Sequence, residues 1–351
     1  MTEDDARQDA MESRLAWIGP GPETVAPGVH RIPLPLPLDG LRAVNIYAIE
    51  DGDGLVLVDG GWAIDAAREV LDRSLAELGR DLRDVRRVLV THVHRDHYTQ
   101  AVAIRRAVGA QVVLGVGEQS SMARLTSGSG GILTDQLDQL RQHGAGALAD
   151  QLPDEPGGSA ATVSFYEDPD VWLEPGRIDL ATFALEAVHT PGHTRGHLVF
   201  HAVDRGLLFA GDHVLPHITP SIGFEPDRPP FPLRDYLGSL ERVLALPDAM
   251  LLPAHGPAGG STHTRALELL AHHGQRLADT EAALVAGAGC ALDAARILRW
   301  TRHERSFEDL TPFDRMLAVL ETAAHLDVLM LRGAVTRDEA GDIITYERTA
   351  V

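Results

Sequence analysis

The chain has 351 residues, 44% hydrophobic and 23% charged, a globular balance that at roughly 100–200 residues per domain predicts about two domains. Fifty-one acidic residues oppose 31 basic ones for a net charge of −20, and every basic residue is Arg; this argues against general nucleic-acid binding and excludes Schiff-base and Walker-type phosphate chemistry, which need a lysine amine. A lone cysteine, Cys290, excludes an intrachain disulfide scaffold, and no apolar run reaches the roughly 20 residues of a membrane span.

The opening MTEDDARQDAMES has neither the basic nor the apolar region of a secretory signal, so a cytoplasmic protein is expected. Residues 1–27 read as a mobile acidic tail. Strands follow at 30–37, 44–50 and 55–61, the last two joined by the hairpin signal DGDG at 51–54. An amphipathic helix is predicted over 64–79, with Ala67, Val70, Leu71, Leu75 and Leu78 on one face. The run 86–92 reads as a buried strand, a helix begins near 98, and QVVLG is a further strand. Strand–helix alternation of this kind predicts a layered α/β architecture. The Gly-, Ser-, Gln- and Asp-rich stretch of about 127–160 is expected to be an insertion with one or two polar helices. Strands return at 180–189, 197–203 and 206–211, then a Pro-rich loop at 215–233, a helix at 233–246 and a strand at 249–256. From about 262 the pattern is helical, ending after 332 in a short hairpin. This order suggests a winged-helix-like subdomain within a C-terminal region of 261–351.

Nine of the 17 histidines fall in two windows, three in 92–97 and six in 189–217. The first window, THVHRDHYT, follows an apolar strand. Residues i and i+2 of an extended chain point the same way, so His92 and His94 can reach one metal ion. The turn after them aims Asp96 and His97 at a neighbouring point, a pattern suited to two adjacent divalent metals. In HTPGHTRGH the spacing forbids His189, His193 and His197 from all being ligands. His193, in the tight Pro-Gly turn, is the best candidate; His189 and His197, at strand ends, are expected behind the ligands or in the core. Asp212 ends the buried run LLFAG, where a carboxylate is costly unless paired or on a metal. His255 ends another buried strand. A His and carboxylate set without thiolate favours zinc, with iron or manganese as alternatives.

In order and spacing, His92-x-His94-x-Asp96-His97, His193, Asp212 and His255, preceded by LVDGG, resemble the signature of the metallo-β-lactamase superfamily across about residues 28–260. The resemblance implies an αββα sandwich with a binuclear site between the sheets. It implies that His92, His94 and His193 hold one ion, that Asp96, His97 and His255 hold the other, that Asp212 bridges them, and that Asp59 supports them from behind. Metal-activated hydroxide would then attack the substrate, with Asp96 as the catalytic residue that accepts a hydrogen bond from the nucleophile and later carries a proton.

The C-terminal region resembles that of the β-lactamase-like protein 2 branch, which includes nucleases of single-stranded RNA. Residues 286–351 carry 8 Arg against 11 acidic residues, whereas a nucleic-acid winged helix is expected to be basic. A small acyl substrate (thioester, ester or lactone) is therefore favoured over RNA, with a non-enzymatic metal-binding regulator as a further alternative. The HTPGHT turn is shared with glutathione thioesterases, whose substrate-binding lysines this chain lacks. Trp62, Tyr98, His217 and Phe224, beside the ligand motifs or in the loop after Asp212, are candidate substrate contacts.

Overall fold

The computed structural model describes residues 16–349 apart from 20, 38–39, 128–132, 154–164 and 302. Strands β1 (Glu23–Ala26), β2 (Val29–Pro35), β3 (Ala43–Asp51), β4 (Gly54–Val58), β5 (Val85–Val90), β6 (Gln111–Gly115) and β7 (Val171–Leu173) form one sheet in that spatial order. Its first four strands are antiparallel, and β4 to β7 run parallel. Strands β8 (Gly176–Asp179), β9 (Ala184–His189), β10 (Leu198–Ala202), β11 (Leu207–Gly211) and β12 (Met250–Pro253) form the second sheet in the order β12-β11-β10-β9-β8. Strand β1 corrects the reading of 1–27 as a tail: Val25 and Ala26 pack against the core between the sheets, so residues 23–26 are held in place. Residues 1–15 lie outside the described residues.

Alternation along each strand builds the layers. Tyr47, Ile49, Val56 and Val58 point inward and meet Leu198, Phe200, Phe209 and Leu252 of the second sheet. Their neighbours Val44, Ile46, Ala48, Leu55 and Leu57 point outward, against helices α1 (Asp65–Glu77) and α2 (Arg95–Val108). On α1, Ala67, Leu71 and Leu75 are buried as the periodicity predicts. The outer face of the second sheet, with Val199, Leu208, Ala210 and Leu251, packs against α6 (Pro232–Leu244) and the C-terminal helices. Sheets packed face to face with helices on both outer faces make the expected α/β αββα sandwich.

Between β6 and β7 lie α3 (Gln119–Ser127), α4 (Thr134–Gln142) and α5 (Gly146–Ala149). The predicted polar insertion does carry helices, but Leu137, Leu140 and Leu148 bury an apolar stripe in the core that α6 joins. The C-terminal region comprises α7 (Thr262–Val285), α8 (Ala291–Ile297), α9 (Pro312–Leu331) and the hairpin β13 (Val335–Asp338) with β14 (Thr345–Arg348). The hydroxyls of Ser261 and Thr311 cap α7 and α9 by accepting from Thr264 N and Asp314 N. Met316, Val319, Leu320, Ala323 and Leu326 of α9 share the α6 core, so this region packs directly on the second sheet's outer layer. Among the described residues no helix is long and apolar enough to cross a membrane.

Candidate active site

The site gathers at the ends of β5, β9, β11 and β12. The chain leaves β5 at Val90 and runs through Thr91 and His92 to His94, which precedes the first turn of α2. That helix begins at Arg95, earlier than the expected start near 98, so Asp96 and His97 lie in its first turn. An acidic side chain there is favoured by the helix dipole. The turn carrying His193 depends on Gly192, with φ of +135° and no room for a side chain: a Cβ would lie 2.4 Å from Tyr236 Cα. Asp212 follows a register irregularity in β11 between Phe209 and Gly211, which re-aims the strand end. Gly211 (φ +50°) lets His197 approach; a Cβ there would sit 2.7 Å from its Nε2.

These segments bring the seven sequence-selected side chains together. His193 Nε2 lies 3.2 Å from His92 Nε2, 3.0 Å from His94 Nδ1 and 3.4 Å from Asp212 Oδ2. Asp212 Oδ1 faces the other way, 3.6 Å from His97 Nε2 and 3.3 Å from His255 Nε2. Asp96 Oδ2 is 3.7 Å from His97 Nε2 and 3.5 Å from His255 Nε2. Two groups of ligating atoms result, His92, His94, His193 and Asp212 in one and Asp96, His97 and His255 in the other. Asp212 offers one oxygen to each.

The outward nitrogens of the rings are already engaged. His92 Nδ1 meets Thr91 Oγ1 (3.0 Å). His94 Nε2 donates to Phe224 O (2.6 Å), His97 Nδ1 to Asp59 Oδ2 (2.9 Å), His193 Nδ1 to Ser221 O (2.7 Å) and His255 Nδ1 to Ala43 O (2.8 Å). Donating one ring N–H fixes the tautomer and leaves a lone pair on the other nitrogen, the arrangement a metal ligand needs. His97 Nε2, His255 Nε2 and Asp212 Oδ1 are buried with no hydrogen-bond partner among the described residues. Unpartnered ligating atoms converging on a carboxylate fit a divalent cation between them.

The electrostatics agree. Burial, reinforced by neighbouring imidazoles, pushes His92 well below the ordinary histidine value and His94 down to about 3; burial also lowers His193. These rings are neutral, as ligands must be. Burial alone would raise Asp212, but His255 and His97 outweigh it and hold the carboxyl well below the usual range. Burial would likewise depress His97, yet Asp59, Asp96 and Asp212 carry it up to about 10. Three carboxylates converging on one ring favour positive charge at this point, whether a proton or a cation supplies it.

Asp59 sits behind this half of the site. It is buried, with φ of +63°, a conformation that aspartate tolerates better than most residues. Its carboxylate accepts from Thr91 N (2.8 Å), Thr91 Oγ1 (3.0 Å) and His97 Nδ1. His197 is stacked on His92 at 5.1 Å and accepts the Asp212 N–H at 3.2 Å. His189 differs: its Nε2 donates to Arg195 O, securing the His193 turn from the strand end.

The substrate-contact candidates separate. Phe224 is half-buried, its carbonyl holding His94 and its ring 6.1 Å from that imidazole. Tyr98 is completely buried in the outer core and its hydroxyl donates to Glu167 O, so it packs and does not face the site. Trp62 is nearly buried beneath the Arg95 guanidinium, 4.3 Å from its ring centre. His217 is exposed on the loop.

Two features escaped sequence reasoning. Phe313, at the start of α9, packs edge-on at 5.8 Å against Phe224, which brings the C-terminal region to the rim. Glu118 and Glu225 form a buried carboxyl pair; Thr194 Oγ1 donates to Glu118 Oε1 (2.5 Å) and Ser121 Oγ to Glu225 Oε2 (2.8 Å). Burial raises Glu118 to about 7, and burial together with Glu118 raises Glu225 to about 9. The pair ties the His193 turn to the Phe224 loop. No local sequence signal marks it, because the partners are more than 100 residues apart.

Comparison with known proteins agrees with this architecture. The profile of the metallo-beta-lactamase superfamily matches residues 39–255. A crystal structure of a metallo-beta-lactamase family protein from Thermus thermophilus superposes with a TM-score of 0.76 at 29% identity, covering 93% of this chain and 100% of that one. The acyl-coenzyme A thioesterase MBLAC2 of Homo sapiens is 28% identical over 226 residues, 62% of this chain and 74% of that protein. An atrochrysone carboxyl ACP thioesterase of Aspergillus fumigatus is 25% identical over 216 residues, 62% of this chain and 38% of that one.

Proposed function

The chain belongs to the metallo-beta-lactamase superfamily, and we propose that this hydrolase cleaves a small acyl thioester at a centre of two divalent ions, zinc by its donor set. His92, His94 and His193 would hold one ion, Asp96, His97 and His255 the other, with Asp212 between them. The observation that carries this reading is the outward hydrogen bond on each of the five rings, to Thr91, Phe224, Asp59, Ser221 and Ala43, which leaves the other ring nitrogen facing the neighbouring ligands. The names of the acyl-coenzyme A and ACP thioesterases among its relatives support the thioester class.

Bound divalent ions supply an acidified water and a Lewis acid for the acyl carbonyl. The protein supplies the rest. Asp96, least buried of the acidic ligands, accepts a hydrogen bond from the attacking water and passes the proton toward the departing thiolate. Asp59 and His197 hold His97 and Asp212 in register. Phe224 and Phe313 form an apolar wall suited to an acyl chain. We place the protein in the cytoplasm, with the winged-helix-like C-terminal region packing on the catalytic domain and shaping the mouth rather than binding nucleic acid.

Steady-state kinetics on a model acyl thioester, beside a fluorogenic single-stranded RNA, tests the reading. Thioester hydrolysis that disappears in Asp96→Asn is expected. RNA cleavage that outpaces thioester cleavage and is abolished by the same substitution would overturn it in favour of a nuclease.

A further inference from the structure

A cavity of about 280 Å³ lies where the Pro-rich loop meets α4, α9 and the terminal hairpin, lined among others by Gln139, His143, Arg228, Phe231, Asp327 and Arg337. Its anomaly is Arg228. The side chain is only 13% exposed, yet its Nε and Nη2 have no hydrogen-bond partner among the described residues. The nearest carboxylate, Asp327, stands 3.9 Å from Nη2, beyond hydrogen-bond reach.

Asp327 is shared: its Oδ2 faces Arg228, while its other oxygen has closer partners. Its Oδ1 accepts from Arg337 Nη1 at 3.0 Å and from the Tyr346 hydroxyl at 3.3 Å. Arg337 is further held through Nε by the exposed Glu339 at 2.8 Å. Arg228 therefore has Asp327 as a distant ion-pair partner but keeps two buried donor atoms, Nε and Nη2, without a hydrogen bond. A guanidinium cannot escape burial by losing its proton, and buried donors left without a hydrogen bond are costly. His143 adds a buried ring whose Nδ1 also has no partner; burial and the two arginines hold it down at about 3, so it is neutral and can donate.

A planar fork of unmet donors beside a neutral imidazole, open to a cavity, is the donor set that recognises oxyanions. We propose that this cavity is a binding pocket for an oxyanion of the phosphate class, held by Arg228 with Arg337 and His143. The pocket adjoins the metal centre along one short loop. A Cβ on Gly223 would lie 3.0 Å from Arg228 Nε, while the next residue, Phe224, holds His94. In a chain of net charge −20, a local cationic pocket is what would admit a phosphate-bearing substrate. Resting on the thioester reading, the pocket takes the phosphate of the acyl carrier; the oxyanion site itself stands without that reading.

The test is calorimetric titration of the full chain, as purified, with inorganic phosphate and then with coenzyme A, in wild type, Arg228→Met and Arg228→Lys. Phosphate should bind wild type at least about tenfold more tightly than Arg228→Met, the loss expected for one charge-assisted contact, and Arg228→Lys should recover part of it. Phosphate captured by the His/Asp centre would be unaffected by Arg228→Met, so equal binding in the two proteins, or no binding to wild type, would overturn the pocket. Thermal melts establish that Arg228→Met is folded. Competition between coenzyme A and phosphate, lost in Arg228→Met, assigns the phosphate to the carrier. Phosphate binding without competition assigns the pocket to a free anion. Absence of thioester turnover with phosphate binding intact would defeat the thioester reading alone.

Discussion

Asp59→Asn isolates the contribution of a residue that reaches no substrate. Asparagine has nearly the same shape and tolerates the φ of +63° at this position, so the backbone stays in place. Its remaining oxygen can keep accepting from Thr91 N and Oγ1. Its amide, however, puts an N–H against His97 Nδ1, which now donates to Asp59 Oδ2 at 2.9 Å. Two donors cannot share that bond. His97 must move its proton to Nε2, the atom 3.7 Å from Asp96 Oδ2 and 3.6 Å from Asp212 Oδ1. A proton there occupies the position of the ion.

Loss of such a supporting contact typically lowers metal affinity about 10- to 100-fold, or roughly 1.4–2.7 kcal/mol. The loss should fall on the ion held by His97. The His92, His94 and His193 group makes no bond to Asp59 and should bind as before. Competitive titration against a chromophoric chelator at pH 7 resolves the two affinities. Two unchanged affinities in Asp59→Asn would refute the claim that Asp59 sets the His97 tautomer.

In metal-free protein the raised pKa of His97, about 10 against an ordinary 6.5, contributes stability that is fully present below about pH 6.5 and is lost as pH rises through about 10. Metal uptake at pH 8 should then release a proton, measurable as a buffer-dependent heat in calorimetry, and a heat independent of buffer would contradict it. Glu225, raised to about 9 by burial and by Glu118, weakens the fold as pH climbs from its unfolded value of about 4.3 toward 9. Glu225→Gln should raise the melting midpoint at pH 8 and flatten its pH dependence, and a midpoint below wild type at pH 8 would count against this. Tyr98→Phe removes a hydroxyl that donates to Glu167 O within the core; it should cost about 1 kcal/mol of stability with kcat and KM unchanged, and an altered KM would restore Tyr98 as a substrate contact.

Much of the architecture was legible because the strands alternate or run apolar between clear turn signals. The site was legible because ligands follow closely on such strands: His92 after β5, Asp212 after β11, His255 after β12. What the sequence hid depends on distant packing. The start of α2 at Arg95 is obscured by a polar first turn whose Asp96 and His97 serve the site and not an apolar stripe. Strand β1 is only four residues long and gains its place by pairing with β2. Tyr98 sits beside the motif in sequence, but its position on α2 turns it into the outer core. Phe313, Glu118 with Glu225, and Arg228 acquire their roles from partners on other elements, so composition and spacing carried no trace of them.

The central claim, metal-dependent thioester hydrolysis at a paired site, is tested most directly by one titration. Chelator-stripped protein is reloaded with zinc, and the initial rate of acyl-thioester hydrolysis is followed against ions bound per chain. The predicted result is negligible rate without metal and a rise to a plateau at two ions per chain, since the two ligand groups share Asp212. Turnover that is undiminished in the stripped protein, or a plateau already reached at one ion per chain, would contradict it.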